Sequence, residues 1–436
     1  MTAEIAIFNK SAVALAADSA VTVGVGGGRA KIYNSANKLF TLSKYAPVGV
    51  MIFGAADYKG IPWEILIKMY RSKLGSKKFK TLKEYGSNFV EFIEKSNKLF
   101  HAEETEGYFY RFLIGKYYSI RQNIEGSVKN FIEKNKSIDE VANAEIVSSC
   151  VSRGFDDIKC ECPIGADFVR DSKIIDAHID LIKRAIAAVF EKQKLSLADV
   201  RLLENIAQIL SVYWTTKNSW EAGVVIAGFG EDEVFPAYEL FEVNSFLDNK
   251  LKYARDNSIS FDNTAMIVPF AQAEMVHVFM NGINPEYRSG LLQYFKEVLL
   301  KMPDLISDNL PLSGKAKDEY VEKVKQGFSD IHKEFITNLK KYERKVHSGP
   351  IIDMVASLPK DELANMAESL VNLTSFKRKI SKDDETVGGP IDVAVISKWD
   401  GFIWIRRKHY FQRDLNHNFF SNYYSTNAEE DKDEIK

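Results

Sequence analysis

The sequence predicts an α+β fold with segregated layers, on three observations. Short β-branched and apolar runs occupy the first 55 residues, helical periodicity fills the long middle of the chain, and strand character returns towards the carboxy end. Strands, helices, strands, helices and a closing hairpin in that order argue for α+β rather than for an alternating βα pattern. Neither end hairpin can bury a face alone, so the strands of the two ends must meet in space and form one discontinuous core with helical insertions. A chain of 436 residues exceeds the usual size of a single core, which accommodates such insertions.

The first strands fall at Glu4 to Phe8 and Val13 to Asp18, separated by the turn-like Asn9-Lys10-Ser11. Gly24-Val-Gly26-Gly27-Gly28 ends no strand-to-helix unit and lacks the Lys-Ser/Thr of a phosphate loop, so it reads as a flexible hairpin tip. Leu39 to Leu42 and Val48 to Phe53 are two more strands, leading to Gly54-Ala-Ala-Asp57. The period then changes. Pro62 suits a first helical turn, and Trp63, Leu66, Ile67, Tyr70 and Leu74 recur at helical spacing. Thr81-Leu-Lys-Glu84 has the form of a capping box before a helix carrying Phe89, Phe92 and Ile93. Helical patterns, with Ile174, Ile179, Ile182 and Val189 among their apolar positions, continue to Val212, and Ser196 is a candidate cap for the last of these helices.

Strands return at Gly223 to Phe229, Pro236 to Val243, Thr264 to Val268, Pro390 to Ser397 and Phe402 to Ile405. Between the last groups, a charged helix carries Val321, Val324, Phe328, Ile331 and Phe335 at alternating spacings of three and four. That seam needs a second helix, from the same chain or from another subunit. The acidic, polar stretch Asn427 to Lys436 reads as a frayed end.

Hydrophobic content of 45%, charged content of 27% and a near balance of 58 basic and 60 acidic residues give no footprint for nucleic acid. No stretch approaches the ~20 apolar residues of a membrane span, and the opening residues lack a signal-peptide pattern, so the expected location is the cytoplasm. Cys150, Cys160 and Cys162 are too few for a disulfide framework and read as plain thiols, since Cys160-Glu-Cys162 has no second pair at zinc-site spacing. His178 and His277 fall on helical patterns without a Gly-x-Ser-x-Gly elbow, and make no hydrolase triad.

The residues that carry chemistry lie at the start. A hydroxyl is a weak nucleophile that needs an adjacent base, and with Met1 removed Thr2 would supply both the hydroxyl and an α-amine whose ordinary pKa is near ~8. A nearby lysine favours the free amine by like-charge repulsion; Lys38 is the candidate, with Asp18 at the end of the second strand holding it. Taken singly, a Thr after Met, an Asp after a strand and a lone Lys are ordinary features. Their joint order and spacing carry the argument.

Thr2 before alternating apolar residues, Ala14-Leu-Ala-Ala-Asp18-Ser19, Lys38 before an apolar strand, and Gly54-Ala-Ala-Asp57 resemble the amino-terminal third of proteasome β-type subunits and their bacterial relatives. Asp384-Glu-Thr-Val-Gly388-Gly389-Pro-Ile-Asp and Asp400-Gly401-Phe-Ile resemble the turn and last hairpin of the same family. The resemblance covers Thr2 to Tyr70 and Leu363 to Ile405, and more weakly Gly223 to Met280. It implies the four-layer αββα sandwich of the N-terminal-nucleophile (Ntn) hydrolases. The core would comprise 2–75, 215–282 and 355–410, with helical insertions at 76–214 and 283–354 and a partly disordered extension at 411–436.

Carried over, the resemblance makes Thr2 nucleophile and base, Lys38 the residue that lowers the amine pKa, Asp18 its partner and Asp384 a support for the amine. The backbone N–H groups at Phe53 and Gly54 would stabilise the oxyanion, and Met51 and Ala55 would line a substrate pocket. Two departures accompany the match: Val387 stands where a serine is expected after Asp384, and Val268-Pro269-Phe270-Ala271-Gln272 replaces a Gly-Ser-Gly segment. The expected function is a threonine peptidase that needs no cofactor, acts on a peptide substrate, forms a homo-oligomer and leaves room for an unfoldase or regulatory partner, with neither nucleic acid nor membrane involved. The alternatives are an amidase or acylase for small amides and an inactive scaffold.

Overall fold

A computed structural model describes residues 2–24, 30–96, 99, 102–161, 175–176, 178–191, 193–212, 222–243, 259–308, 314–381 and 387–421. The tip of the glycine-rich hairpin, Asp384, Cys162, Ile174 and the acidic end all lie outside these residues. The fold is mixed α+β, with antiparallel sheets and many helices. Two compact units divide it: Met1–Phe53, Ala227–Tyr238 and Asn257–Lys436 form the first, Gly54–Ile226 and Glu239–Asp256 the second.

The first unit is built on a hairpin of β1 (Ala3–Asn9) and β2 (Ala12–Ala17). Asn9 makes the turn: its Oδ1 accepts from Ser11 N, Ser11 Oγ and Ala12 N at 2.9, 2.7 and 3.1 Å. The hairpin does not stand alone. β1 pairs with β11 (Ala265–Ala271), and β2 with β12 (Asp392–Ser397), which pairs in turn with β13 (Gly401–Arg406), giving the order β11-β1-β2-β12-β13. The first and last strands of the chain thus share one sheet.

Alternation along β1 divides its side chains between two faces. Ala3, Ile5 and Ile7 join an apolar cluster with Val355, Leu363, Ala367, Leu370 and Val371, which belong to α10 (Gly349–Val355) and α11 (Lys360–Ile380). Asn9 Nδ2 donates to Val355 O and Leu358 O at 3.2 and 2.9 Å, tying these helices to the hairpin turn. On the opposite face Phe8 meets Tyr238 of β10 (Ala237–Val243), with ring centroids 5.4 Å apart, and Tyr238 meets Phe270 at 6.0 Å.

β5 (Leu39–Thr41) and β6 (Val48–Gly54) belong to a second sheet of order β10-β9-β6-β5, in which β9 spans Ala222–Gly228. A Cβ on Gly49 of β6 would stand 2.8 Å from both Ile396 Cδ1 and Phe402 Cε2, so a side chain at position 49 would have to displace them. β3 (Val21–Gly24) and β4 (Ala30–Tyr33) pair as a two-stranded antiparallel ribbon.

The second unit opens with the small ladder of β7 (Asp57–Tyr58) and β8 (Ile61–Pro62), joined by Lys59 and Gly60 at φ 51° and 80°. Such a pair of left-handed residues makes a two-residue hairpin. It takes Pro62 into a strand, so α1 (Trp63–Leu74) begins one residue later than the sequence reading implies. Trp63, Leu66, Ile67, Tyr70 and Leu74 are its buried residues. The capping box before α2 (Leu82–Lys95) is present, with Glu84 N donating to Thr81 Oγ1 at 3.3 Å. α3 (Ala102–Asn135), α4 (Glu140–Glu161), α5 (Ile179–Phe190) and α6 (Leu197–Val212) enclose their own core around Leu113, Tyr117, Val151 and Leu203. Ser196 caps α6 by accepting from Asp199 N at 3.1 Å.

α7 (Glu274–Asn281), α8 (Pro285–Asp308) and α9 (Lys315–Glu343) complete the first unit's helices. The seam of α9 meets α8 in the same chain: Phe335 lies 4.5 Å from Phe295, ring to ring. Pro269 marks a further difference from the sequence reading, because β11 continues through it to Ala271. An edge strand tolerates the missing N–H.

Candidate active site

Thr2, Asp18 and Lys38 come together in the first unit, and all three are buried. Each is delivered by a strand end. Thr2 immediately precedes β1 and extends its ladder, its carbonyl accepting from Gln272 N at 3.2 Å. Asp18 follows β2. Lys38 precedes β5 and is fixed through its own carbonyl, which accepts from Ile52 N at 2.9 Å.

Lys38 Nζ donates to Asp18 Oδ1 at 2.6 Å and to Thr2 Oγ1 at 3.2 Å. Asp18 is fully enclosed and saturated. Its Oδ1 also accepts from Ala3 N at 3.1 Å, and its Oδ2 accepts from Ala20 N at 3.3 Å and Gly388 N at 3.0 Å. Buried carboxylates with this many donors are held rigidly. The lysine therefore has a fixed anion on one side and a hydroxyl oxygen on the other.

The turn at Gly388-Gly389 belongs to the same structure. Ser19 N donates to Gly388 O at 3.0 Å, and Ser19 Oγ donates to Pro390 O. Gly389 has φ 79°, and a Cβ there would fall 2.8 Å from Asn34 Cβ. Val387 is buried in the apolar cluster of the helices and the five-stranded sheet.

The remaining candidates are more scattered. Phe53 stacks on Phe270 at 5.9 Å, and Gly54 ends β6 at φ 85°. Met51 is fully buried opposite Leu39 in the β5–β6 pair, and Ala55 is half-buried just beyond β6. A cavity of about 330 Å³ is lined by Tyr45, Pro47, Lys398, Trp399 and Trp404. Strand register sets it away from Thr2: Ala17 faces Asp392 beside Asp18, whereas Ala12 faces Ser397 beside the cavity. The chemistry and this cavity occupy opposite ends of the sheet.

Sequence reasoning passed over Glu4. Its carboxylate is buried on β1, and neither oxygen has a hydrogen-bond partner. Burial pushes its pKa well above the ordinary glutamate range, the Lys38 charge pulls against that, and Asp18 adds to the rise. A signal was present in the sequence: Glu4 is the charged residue of an otherwise apolar strand, Ala3-Glu-Ile-Ala-Ile-Phe8, whose faces are both covered.

Among the described residues no helix is long and apolar enough to cross a membrane. Cys150 is buried and Cys160 exposed. No protein-family model and no curated protein matches the chain. Among solved structures, the chain aligns with an Anbu (Gly-1) mutant from Hyphomicrobium sp. strain MC1 at 9% identity, covering 100% of this chain and 98% of that one, with a TM-score of 0.27.

Proposed function

We propose that the chain is a proteasome-like threonine hydrolase of the Ntn class, with a four-layer αββα core, that cleaves peptide bonds through Thr2 once Met1 is removed. The observation that carries this reading is the bridging position of Lys38 Nζ, 2.6 Å from Asp18 Oδ1 and 3.2 Å from Thr2 Oγ1. An ammonium against the hydroxyl oxygen favours the developing alkoxide and, by like-charge repulsion, an unprotonated α-amine.

In the proposed reaction the α-amine of Thr2 takes the Oγ1 proton as Oγ1 attacks the scissile carbonyl carbon. The tetrahedral intermediate collapses, the C–N bond breaks and the leaving amine carries the proton away. Water then hydrolyses the ester on Thr2. The oxyanion role of Phe53 and Gly54, the pocket role of Met51 and Ala55, the support by Asp384, assembly with further copies and a regulatory partner all belong to the same proposal. An inactive scaffold is the second reading, favoured by Val387, whose buried apolar side chain stands where the resemblance implies a hydroxyl.

The test is mass spectrometry of protein lacking Met1 after exposure to peptide and small-amide libraries and to a threonine-directed electrophile. An acyl adduct on Thr2 with turnover of peptides supports the peptidase; turnover of small amides alone selects the amidase. Neither adduct nor turnover selects the scaffold.

A further inference from the structure

We propose that Glu4 is a positioning residue of the Thr2 site, acting through Lys38: with its proton it leaves the ammonium directed at Thr2, and as an anion it withdraws that ammonium and shuts the site at alkaline pH. The inference rests on the threonine-nucleophile reading and adds a regulatory group to it.

Glu4 and Thr2 are two residues apart on one strand, so they share a face at a Cα spacing of about 6.6 Å. Ala3, Ile5 and Ile7 point to the helices, which leaves Glu4 on the face where Phe8 meets Tyr238. Its cross-strand neighbours are Ala17 on β2 and Phe270 on β11, and neither side chain can donate. From β10, Tyr238 packs on Phe270 and brings a phenol to that face. Lys38, from the lead-in to β5, and Asp18, from the end of β2, are the charges that act on Glu4, and both meet the chain just before it, at Thr2 Oγ1 and Ala3 N.

Asp18 and Glu4 compete for one ammonium. Asp18 has filled its acceptor positions with Ala3 N, Ala20 N, Gly388 N and Lys38 Nζ. Glu4 has filled none, although both oxygens are enclosed. A buried carboxyl without donors favours its neutral form, and a buried orphan of this kind needs an account. While Glu4 is neutral, Lys38 remains shared between Asp18 and Thr2. When Glu4 loses its proton, a second anion faces the same cation. The positive field at Thr2 Oγ1 then falls, the alkoxide loses stabilisation, and the α-amine holds its proton more tightly. No other bond is made or broken.

Two readouts separate this inference from the reading beneath it. The first is kcat/KM from about pH 6 to about pH 10 for wild type, Glu4→Gln and the apolar Glu4→Met. The alkaline limb is expected to move up by about one pH unit or more in both variants, the size a neighbouring charge produces. A limb at the wild-type position in either folded variant overturns the proposal. The second needs no turnover: infrared spectroscopy follows the protonated-carboxyl stretch in a Thr2→Ala background. A band present at neutral pH, missing in Glu4→Gln and titrating at higher pH when Lys38 is replaced by Met, supports the coupling. A Glu4 band that titrates identically with and without Lys38 reduces Glu4 to a structural role. A wild type that turns over no substrate ends the threonine reading, while the Glu4–Lys38 coupling still stands or falls by the infrared titration.

Discussion

The backbone N–H of Gly388 donates to Asp18 Oδ2 at 3.0 Å, although 370 residues separate the two in sequence. Through this bond the carboxy-terminal turn holds the carboxylate that holds Lys38. Asp18→Asn should therefore be costly whichever way the amide turns, because its NH2 must meet either Ala3 N and Lys38 Nζ or Ala20 N and Gly388 N. Removing one partner of a buried ion pair costs about 3–5 kcal/mol. Urea unfolding should show that loss as a lower midpoint at unchanged slope. A midpoint equal to wild type would mean that Asp18 does not anchor Lys38.

The two glycines of the turn should respond differently to alanine. Gly389 has φ 79° and would place a Cβ 2.8 Å from Asn34 Cβ and 3.0 Å from Asn34 O, so Gly389→Ala should destabilise by about 1–3 kcal/mol. Gly388 has only Asn34 Oδ1, at 4.0 Å, within that range. Gly388→Ala should change stability by less than about 1 kcal/mol. Equal effects on the denaturation midpoint would contradict the turn geometry.

Asn9 couples the first hairpin to the α10–α11 connection through Val355 O and Leu358 O, besides forming the β1–β2 turn. In Asn9→Ala both carbonyls lose the Asn9 amide, Val355 O keeping only Leu358 N, at a cost of about 1–3 kcal/mol. Hydrogen exchange should speed up in both β1–β2 and the 355–358 connection. Faster exchange in the hairpin alone would show that the helices are held by other means.

Glu4 also makes a stability prediction that is independent of catalysis. Its pKa is raised in the folded state, so its contribution is fully present below the unfolded value and is lost as pH rises through the folded pKa. Wild type should lose melting temperature relative to Glu4→Gln as pH rises from about 5 to about 9. Parallel curves for the two proteins would show that folding does not raise the Glu4 pKa.

Much of this architecture is legible in the sequence because it is local. The apolar positions of α1 are set by helical spacing, and the caps at Thr81 and Ser196 by side chains within one turn. The β7–β8 ladder is less legible, because it depends on Lys59 adopting a left-handed conformation that glycine takes more readily. The passage of β11 through Pro269 depends on its place at the sheet edge, which only the assembled sheet defines. At the site, Thr2, Asp18 and Lys38 are readable as strand-end residues at characteristic spacing. Glu4 needs the third dimension: its cross-strand neighbours Ala17 and Phe270 offer no donor, and Phe270 lies far from it in sequence.

The most direct test of the central claim compares protein lacking Met1 with its Thr2→Ala and Lys38→Ala variants, reading initial rates and labelled mass from about pH 6 to about pH 9.5, with circular dichroism as the folding control. The Lys38 contact at 3.2 Å to Thr2 Oγ1 predicts distinct failures. Thr2→Ala should neither turn over nor label at any pH. Lys38→Ala should be inactive at neutral pH and recover part of its rate as pH rises through ~8, the ordinary value of an α-amine. Turnover in folded Thr2→Ala at the wild-type rate would contradict the account.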